Sequence, residues 1–408
     1  MVTTAAGRAR IAVAVLFAIN GLLPAAWIAR LAEIQDDAGL DDAQLGIVMA
    51  MGAVGGLSLG LLAGPLVARW GSGRVAVIGF LGMAPATALI GFESTAVALG
   101  VTMFWIFGFD AVMDAAMNAH SIRVEKAYRR SILNSFHGWW SLGTVAGSSL
   151  AAISASIGLA LGSYLVVLAA ILMITALVTW PWLMPGPDPD SHLQTVHLEP
   201  LPADAGLDRP TSTTAGRTDA RWWRGAAGRR AALVGAFIFL AVIVEDVPAR
   251  WSSIYLTDIG ATGGAASLGL VAFTVGMTLG RFLADRVVDR RGAQRVVAVG
   301  MGVSAVVLAG ALLLGSIPAY LIASFVVGFG VAPLFPAAIN AAAHVPGLRP
   351  ATGIALVSWL SRAGFLVAPI AVGLIAQSRG IAWGVGVTVV AAALLVPLSR
   401  VVRRSAQP

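Results

Sequence analysis

Of the 408 residues, 58% are hydrophobic and 12% are charged, with no Cys and a formal net charge of +7. A soluble domain carries about 25% charged residues, so this composition, with a mean hydropathy of +0.85, excludes a soluble globular enzyme and a disordered chain. The missing Cys excludes disulfide frameworks, thiolate metal sites and Cys nucleophiles.

Apolar runs recur along the whole length. Each membrane span needs about 20 apolar residues. The chain divides into twelve predicted spans at 10–32, 43–68, 75–92, 96–121, 132–156, 159–184, 231–256, 265–284, 295–315, 318–342, 352–376 and 380–400. The first follows Arg8 and Arg10 as a signal peptide's apolar core does, but its run is long and holds Asn20 and Pro24. It is read as an uncleaved span.

The basic residues set the orientation. The even-numbered loops carry Arg69 and Arg74, then Arg123, Lys126, Arg129 and Arg130, later Arg286, Arg290, Arg291 and Arg295, and finally Arg349. The odd loops are nearly free of them, and the first is acidic, with Glu33, Asp36, Asp37, Asp41 and Asp42. Both termini are therefore expected in the cytoplasm of a bacterial cell, with the chain multi-pass in its inner membrane. The positive charge is topogenic, and no nucleic-acid partner is needed to explain it.

Residues 185–230 interrupt the pattern with six Pro, six acids and six Arg. This stretch is expected to be a disordered cytoplasmic linker between an N-terminal half, 1–184, and a C-terminal half, 231–408. It ends in Arg221-Trp222-Trp223-Arg224, a pairing of rings and cations that suits a membrane-interface anchor. His192 and His197 lie in it and are read as solvated. No metal or cofactor site is expected anywhere.

The two halves repeat. Leu66–Val75 aligns without gaps on Val287–Val296, an offset of 221 residues. At that offset Gly55 falls on Gly276, Gly79 on Gly300 and Gly143 on Gly364. Pro24-Ala-Ala-Trp27 matches Pro248-Ala-Arg-Trp251 nearby. Six spans, a linker and six related spans of the same orientation imply parallel halves about an axis normal to the membrane. Gly64-Pro-Leu66-Val-Ala-Arg69-Trp-Gly71-Ser-Gly-Arg74, and its second copy around Asp289-Arg290-Arg-Gly292, resemble the loop signature of the major facilitator superfamily, Gly-x-Leu-x-Asp-Arg-x-Gly-Arg-Arg/Lys. The Asp position is Ala68 in the first copy and is kept as Asp289 in the second. The resemblance runs over nearly the full length and implies an all-α membrane protein of twelve helices in two pseudo-symmetric halves, working by alternating access. Within the superfamily the chain looks most like the fucose-permease-like bacterial transporters. Drug antiporters of this superfamily tend to end span five in Gly-Pro-x-x-Gly-Gly and to carry an Arg in span four. Here span five reads Gly143-Thr-Val-Ala-Gly147-Ser-Ser and span four carries acids.

The tight loops need Gly71 and Gly292 for unusual backbone angles. Gly64, Arg69, Arg74, Asp285, Asp289, Arg290 and these two glycines form a candidate cytoplasmic latch, since a charge cluster that forms in one conformation and breaks in another can gate access. Gly52, Gly56, Gly60 and Gly64 recur every four residues in span two, which is a smooth face for close helix approach, sliding or static.

Charges at bilayer depth cost about 2.5–3.5 kcal/mol on insertion scales and are functional candidates. Asp110, Asp114 and Asn118 share one face of span four. Two carboxylates one turn apart in low dielectric disfavour joint ionisation, which suits a proton carrier. Glu245-Asp246 precede Pro248 in span seven and match Gly21-Leu22 in the first half, so the pair breaks the repeat. Asp246 can pair locally with Arg250, leaving Glu245 as a third candidate for coupling. Arg362 in span eleven needs an acidic partner or an anionic solute, the partners available being Asp110, Asp114 and Glu245. Trp27, Trp139, Trp140, Trp251 and Trp359 lie in spans that line the central cavity in the resembled family, where rings can stack on sugars or cations. His137 is read as structural. The expected solute contacts are Asn20, Asn118, Trp140, Trp251, Asn340, Trp359 and Arg362.

These residues predict a secondary transporter rather than an enzyme. No nucleophile triad, metal cluster or phosphate loop is visible, and the sole Lys is Lys126, which excludes a Walker-type ATP site. The expectation is a monomer in the lipid bilayer that moves a sugar or sugar-acid-like solute with protons. The rival is proton-antiport efflux of drugs or other amphiphilic compounds.

Overall fold

The computed structural model describes residues 4–129, 132–186, 226–345 and 350–402, together with the side chains of most of them. Helices account for nearly all of this and no strand occurs among the described residues. The spans are α1 Thr4–Ile28, α2 Asp42–Gly60, α3 Ser72–Leu89, α4 Ala96–Tyr128, α5 Leu133–Ser156 and α6 Leu161–Thr179. The second set is α7 Ala226–Asp258, α8 Gly264–Arg291, α9 Ala293–Leu314, α10 Ile317–Val331, α11 Pro350–Arg379 and α12 Ile381–Leu398. Short helices extend α2 (Ala63–Trp70) and α10 (Leu334–Ala343). Eleven spans are long and apolar enough to cross a membrane. The twelfth, α5, has 24 residues interrupted by Ser, Gly, Thr and His, and it packs between α1 and α8.

Packing repeats as the sequence does. The pairs α1–α5, α2–α4, α3–α4 and α3–α6 of one bundle recur as α7–α11, α8–α10, α9–α10 and α9–α12 of the other. Glycines make the closest of these contacts possible. A Cβ on Gly55 would strike the carbonyl of Phe104, and one on Gly276 that of Phe325. Gly55 and Phe104 of the first bundle thus become Gly276 and Phe325 of the second, at the same offset of 221. Gly52, Gly56 and Gly60 also face α4, so the glycine stripe of span two is a seam inside one bundle rather than a sliding surface between bundles. Gly71 has φ 84°, ψ 148° and Gly292 has φ 78°, ψ 143°. Both values lie where L side chains are disfavoured, and the two turns are conformational copies of each other.

Where α6 ends, the chain is pinned to α4. His120 is fully buried, its Nδ1 lies 2.9 Å from Ser72 Oγ, and the Met184 N–H donates to its Nε2 at 3.2 Å. Arg123 donates to the carbonyls of Pro185 and Gly186 at 2.7 and 3.1 Å. Most of the expected linker, residues 187–225, with His192, His197 and the Trp222-Trp223 pair, lies outside the described residues.

Gly55→Val and Gly276→Val should each lower the thermal unfolding midpoint in detergent, at a cost of about 1–3 kcal/mol for an overpacked seam. Gly310→Ala, at a position where a Cβ meets nothing within 4 Å, should leave that midpoint unchanged.

Candidate functional site

Two cross-bundle seams, α5–α8 and α2–α11, join the bundles, and they are images of each other under the repeat. In α2–α11 the close approaches lie at the face opposite the termini. Gly46 meets the Pro369 carbonyl, Gly373 meets the Asp42 carbonyl, and the Asp42 N–H donates to Gln377 Oε1 at 3.2 Å. Arg250 of α7 reaches over the Phe107 ring of α4 at 5.1 Å while its guanidinium pairs with Asp246 on its own helix. The Ala32 N–H donates to Ser253 Oγ at 3.3 Å. Arg30 is buried and donates to both Glu33 oxygens (2.7 and 2.6 Å), to Ser154 Oγ and to the Leu159 carbonyl. A cavity of about 650 Å³ lies among these contacts, lined by Arg30, Glu33, Asp36, Ser253, Thr257 and Ser267 among others.

Toward the face of the termini the bundles part. α4 packs within the first bundle, while Leu334–Ala343 packs on α7 and α11 of its own. The gap between α4 and α10–α11 is therefore open. Asp114, Asn340, Trp359 and Arg362 are all exposed on its walls. Arg69, Arg74, Asp289 and Arg290 are exposed as well, and none of them forms an ion pair among the described residues. Gly64 is half-buried in the short helix beside them. The Asp285 side chain lies outside the described set.

At the closed end of the gap the polar side chains form one network. Asp110 is half-buried and accepts a hydrogen bond from Asn20 Nδ2 at 2.8 Å. The Asn20 Oδ1 accepts from Trp140 Nε1 at 3.0 Å. The Trp140 ring lies under the Arg281 guanidinium at 5.1 Å, and Arg281 donates to buried Ser141 Oγ at 3.0 Å. One turn below Asp110, Asn118 Nδ2 donates to Asp114 Oδ1 at 3.0 Å. Arg362 is within electrostatic reach of Asp114, and Arg281 within reach of Glu245. The network thus draws on α1, α4, α5, α7, α8 and α11.

Asn20, Asp110, Trp140 and Glu245 come together with Arg281, and Asp114, Asn118 and Arg362 lie in the adjoining gap. One expectation is corrected. Trp251 is fully buried, as is its repeat partner Trp27, so its ring packs into the bundle and does not line the gap. Trp27 instead packs edge-on against Phe107, with ring centroids 6.3 Å apart. Asn340 is exposed, and its backbone carbonyl lies 2.8 Å from His344 Nδ1. His137 packs edge-on against Phe17 at 5.3 Å.

Arg281 was not among the residues picked out from the sequence. It was legible there as a charge inside span 265–284, and at the 221 offset it replaces Gly60.

The model of the Major Facilitator Superfamily matches this chain over residues 11–255 and 232–408, two overlapping stretches. The chain is 26% identical to an uncharacterized MFS-type transporter of Yersinia pestis over 90% of its own length and 89% of that protein's. It is 28% identical to membrane protein MosC of Rhizobium meliloti over 91% of its length and 84% of that protein's. Among solved structures, the nucleoside transporter NupG (a D323A mutant) superposes with a TM-score of 0.71 at 15% identity, covering 96% of this chain and 98% of that one. A bacterial homologue of the human lysosomal transporter Spinster, inward-facing and unoccupied, superposes with a TM-score of 0.69 at 15% identity, covering 99% and 100%.

Because the chain has no Cys, single cysteines report accessibility against a clean background. Ser253→Cys should label poorly with an impermeant maleimide in the otherwise unchanged protein. Adding Phe107→Leu, which keeps volume but removes the ring under Arg250, should raise that labelling severalfold. Unchanged labelling would show that the cation–π contact does not hold this face closed.

Proposed function

The chain belongs to the major facilitator superfamily, and we propose that it is a proton-coupled secondary carrier of a small polar solute, sugar-like or sugar-acid-like, working by alternating access in a bacterial inner membrane. The observation that carries this reading is the network Asp110–Asn20–Trp140–Arg281. It places a half-buried carboxylate at the closed end of a gap that is open on one face only. A carboxylate in that position can exchange a proton with water through the gap, and the shut seam at the other face prevents leak.

Asp110 and Asp114 repel each other across one helical turn. Asp114 has Asn118 and Arg362 to offset its charge, while Asp110 has the neutral amide of Asn20. Asp110 is therefore the primary proton site in this reading, with Asp114 and Glu245 as its coupled acids. Asn118, Asn340, Trp359 and Arg362 offer donors, acceptors and a ring face to a solute in the gap, a mixture that suits hydroxyl-rich molecules. Gly64, Arg69, Gly71, Arg74, Asp285, Asp289, Arg290 and Gly292 form the latch at the face of the termini. In this reading the latch is open in the present conformation and closes when the gap shuts.

In proteoliposomes loaded with a pH-sensitive dye, one of a panel of neutral sugars and sugar acids should acidify the lumen on addition outside. Asp110→Asn should abolish uphill accumulation of that solute while sparing its exchange down a gradient, and Asp114→Asn should impair accumulation. Full accumulation in both variants would overturn the proton assignment. Alkalinisation by cationic drugs, with no response to sugars, would replace import with antiport.

A further inference from the structure

The side chains between Arg281 and Asp110 have one permitted orientation. An indole N–H can only donate, so Trp140 Nε1, 3.0 Å from the Asn20 amide, must face its oxygen. That leaves the amide nitrogen turned to Asp110 Oδ1 at 2.8 Å, with Met113 Sδ at 3.5 Å as its second acceptor. Asn20 is 4% exposed, so no bulk water competes for it. An amide N–H serves an ionised carboxylate, whereas a protonated acid needs an acceptor such as the amide oxygen. Trp140 therefore decides which end of the amide Asp110 meets.

The support of Trp140 comes from the other bundle. Asp110, Asn20 and Trp140 all belong to the first bundle, and Arg281 belongs to α8 of the second. Its guanidinium covers the Trp140 ring and is fixed by Ser141 Oγ. The charged groups around this chain of contacts are Asp114 beside Asp110, Arg362 facing Asp114, and Glu245 and His137 near Arg281. Neither Glu245 nor Arg281 has a counterpart in the first bundle, where Gly21 and Gly60 stand at the matching places.

We propose that Arg281 is a positioning residue that controls proton exchange at Asp110 by holding Trp140, and through it the Asn20 amide, in the orientation that favours the carboxylate. Movement of α8 against α5 releases the indole and frees the amide to turn its oxygen toward a protonated Asp110. The state of the inter-bundle seam is thereby read out as proton affinity at a residue Arg281 does not touch. This rests on the reading of Asp110 as the proton site.

The test is an infrared titration of the protein in lipid, following the protonated-carboxyl band that Asp110→Asn abolishes. Trp140→Phe keeps an aromatic ring for Arg281 to cover while removing the N–H together with the fused five-membered ring. It should move the midpoint by about fivefold in proton affinity, the size of one hydrogen bond's net worth. Arg281→Gln should move it in the same sense and by a similar factor. The double variant should move it no further, since both changes cut one chain of contacts, and Arg281→Lys should recover at least half of the shift. An unmoved midpoint in Trp140→Phe, or additive shifts in the double variant, would overturn the relay and leave Arg281 acting by charge alone. If the wild-type protein has no band that Asp110→Asn removes, the proton-site reading fails, and the relay with it. Thermal midpoints of all variants control for folding, and Trp140→Phe, which keeps the site aromatic and uncharged, remains decisive should Arg281→Gln fail to fold.

Discussion

A charge within the hydrocarbon thickness must find an opposite charge, a hydrogen-bond donor or water, and much of the interior of this protein is arranged around that requirement. Asp246 takes Arg250 on its own helix. Arg30, at the end of α1, is enclosed by two carboxylate oxygens, a hydroxyl and a carbonyl. The remaining charges, Asp110, Asp114, Glu245, Arg281 and Arg362, are distributed over both bundles, and two of them meet groups on the other. Arg281 bonds across to Ser141, and Arg362 lies opposite Asp114. These solutions couple electrostatics to the relative placement of the bundles, because parting the bundles alters the field each charge feels.

The scaffold that holds these groups is symmetric and its chemistry is not. Glycine-to-carbonyl contacts repeat at matching positions in the two bundles, and the two loop glycines adopt the same backbone conformation. Such contacts depend on backbone alone and survive divergence of the side chains around them. Glu245 and Arg281, by contrast, exist in the second bundle only, and they lie within reach of each other. A half-buried acid and a half-buried base are each costly alone, so the two departures from the repeat are best understood as one feature.

The architecture was legible in the sequence because hydropathy, charge asymmetry and the repeat each carry a strong signal. The fourfold spacing of Asp110, Asp114 and Asn118 placed them on one helix face, and Asn20 and Trp140 were recognisable as polar or amphipathic groups inside spans. Trp251 misled because a Trp in a cavity-lining helix can face either way. Its repeat partner Trp27 is buried too, as expected of a position kept for packing. Arg281 went unnoticed because basic residues near the end of span eight were read as topogenic. Its position before Phe282-Leu283-Ala284, apolar residues at the end of the predicted span, was the available clue. The openness of the gap and the exposure of Arg69, Arg74, Asp289 and Arg290 depend on conformation, which hydropathy and spacing do not encode.

The closed face is held by contacts that are individually weak. A cation over an aromatic ring contributes roughly 0.5–2 kcal/mol, and a neutral hydrogen bond such as that from Ala32 to Ser253 contributes about 1 kcal/mol. No large apolar plug is needed there, because the Gly46–Pro369 and Gly373–Asp42 approaches already exclude solute by bringing backbone against backbone. A carrier that alternates must keep its two states within a few kcal/mol of each other, and a face shut by a few weak contacts over a tight backbone seam meets that condition. The α5–α8 seam, the image of α2–α11, carries Arg281 and its Ser141 and Trp140 contacts, so rearrangement there is transmitted to Asn20 and Asp110. On the proposed reading, solute access and proton affinity are coupled by geometry through these two related seams.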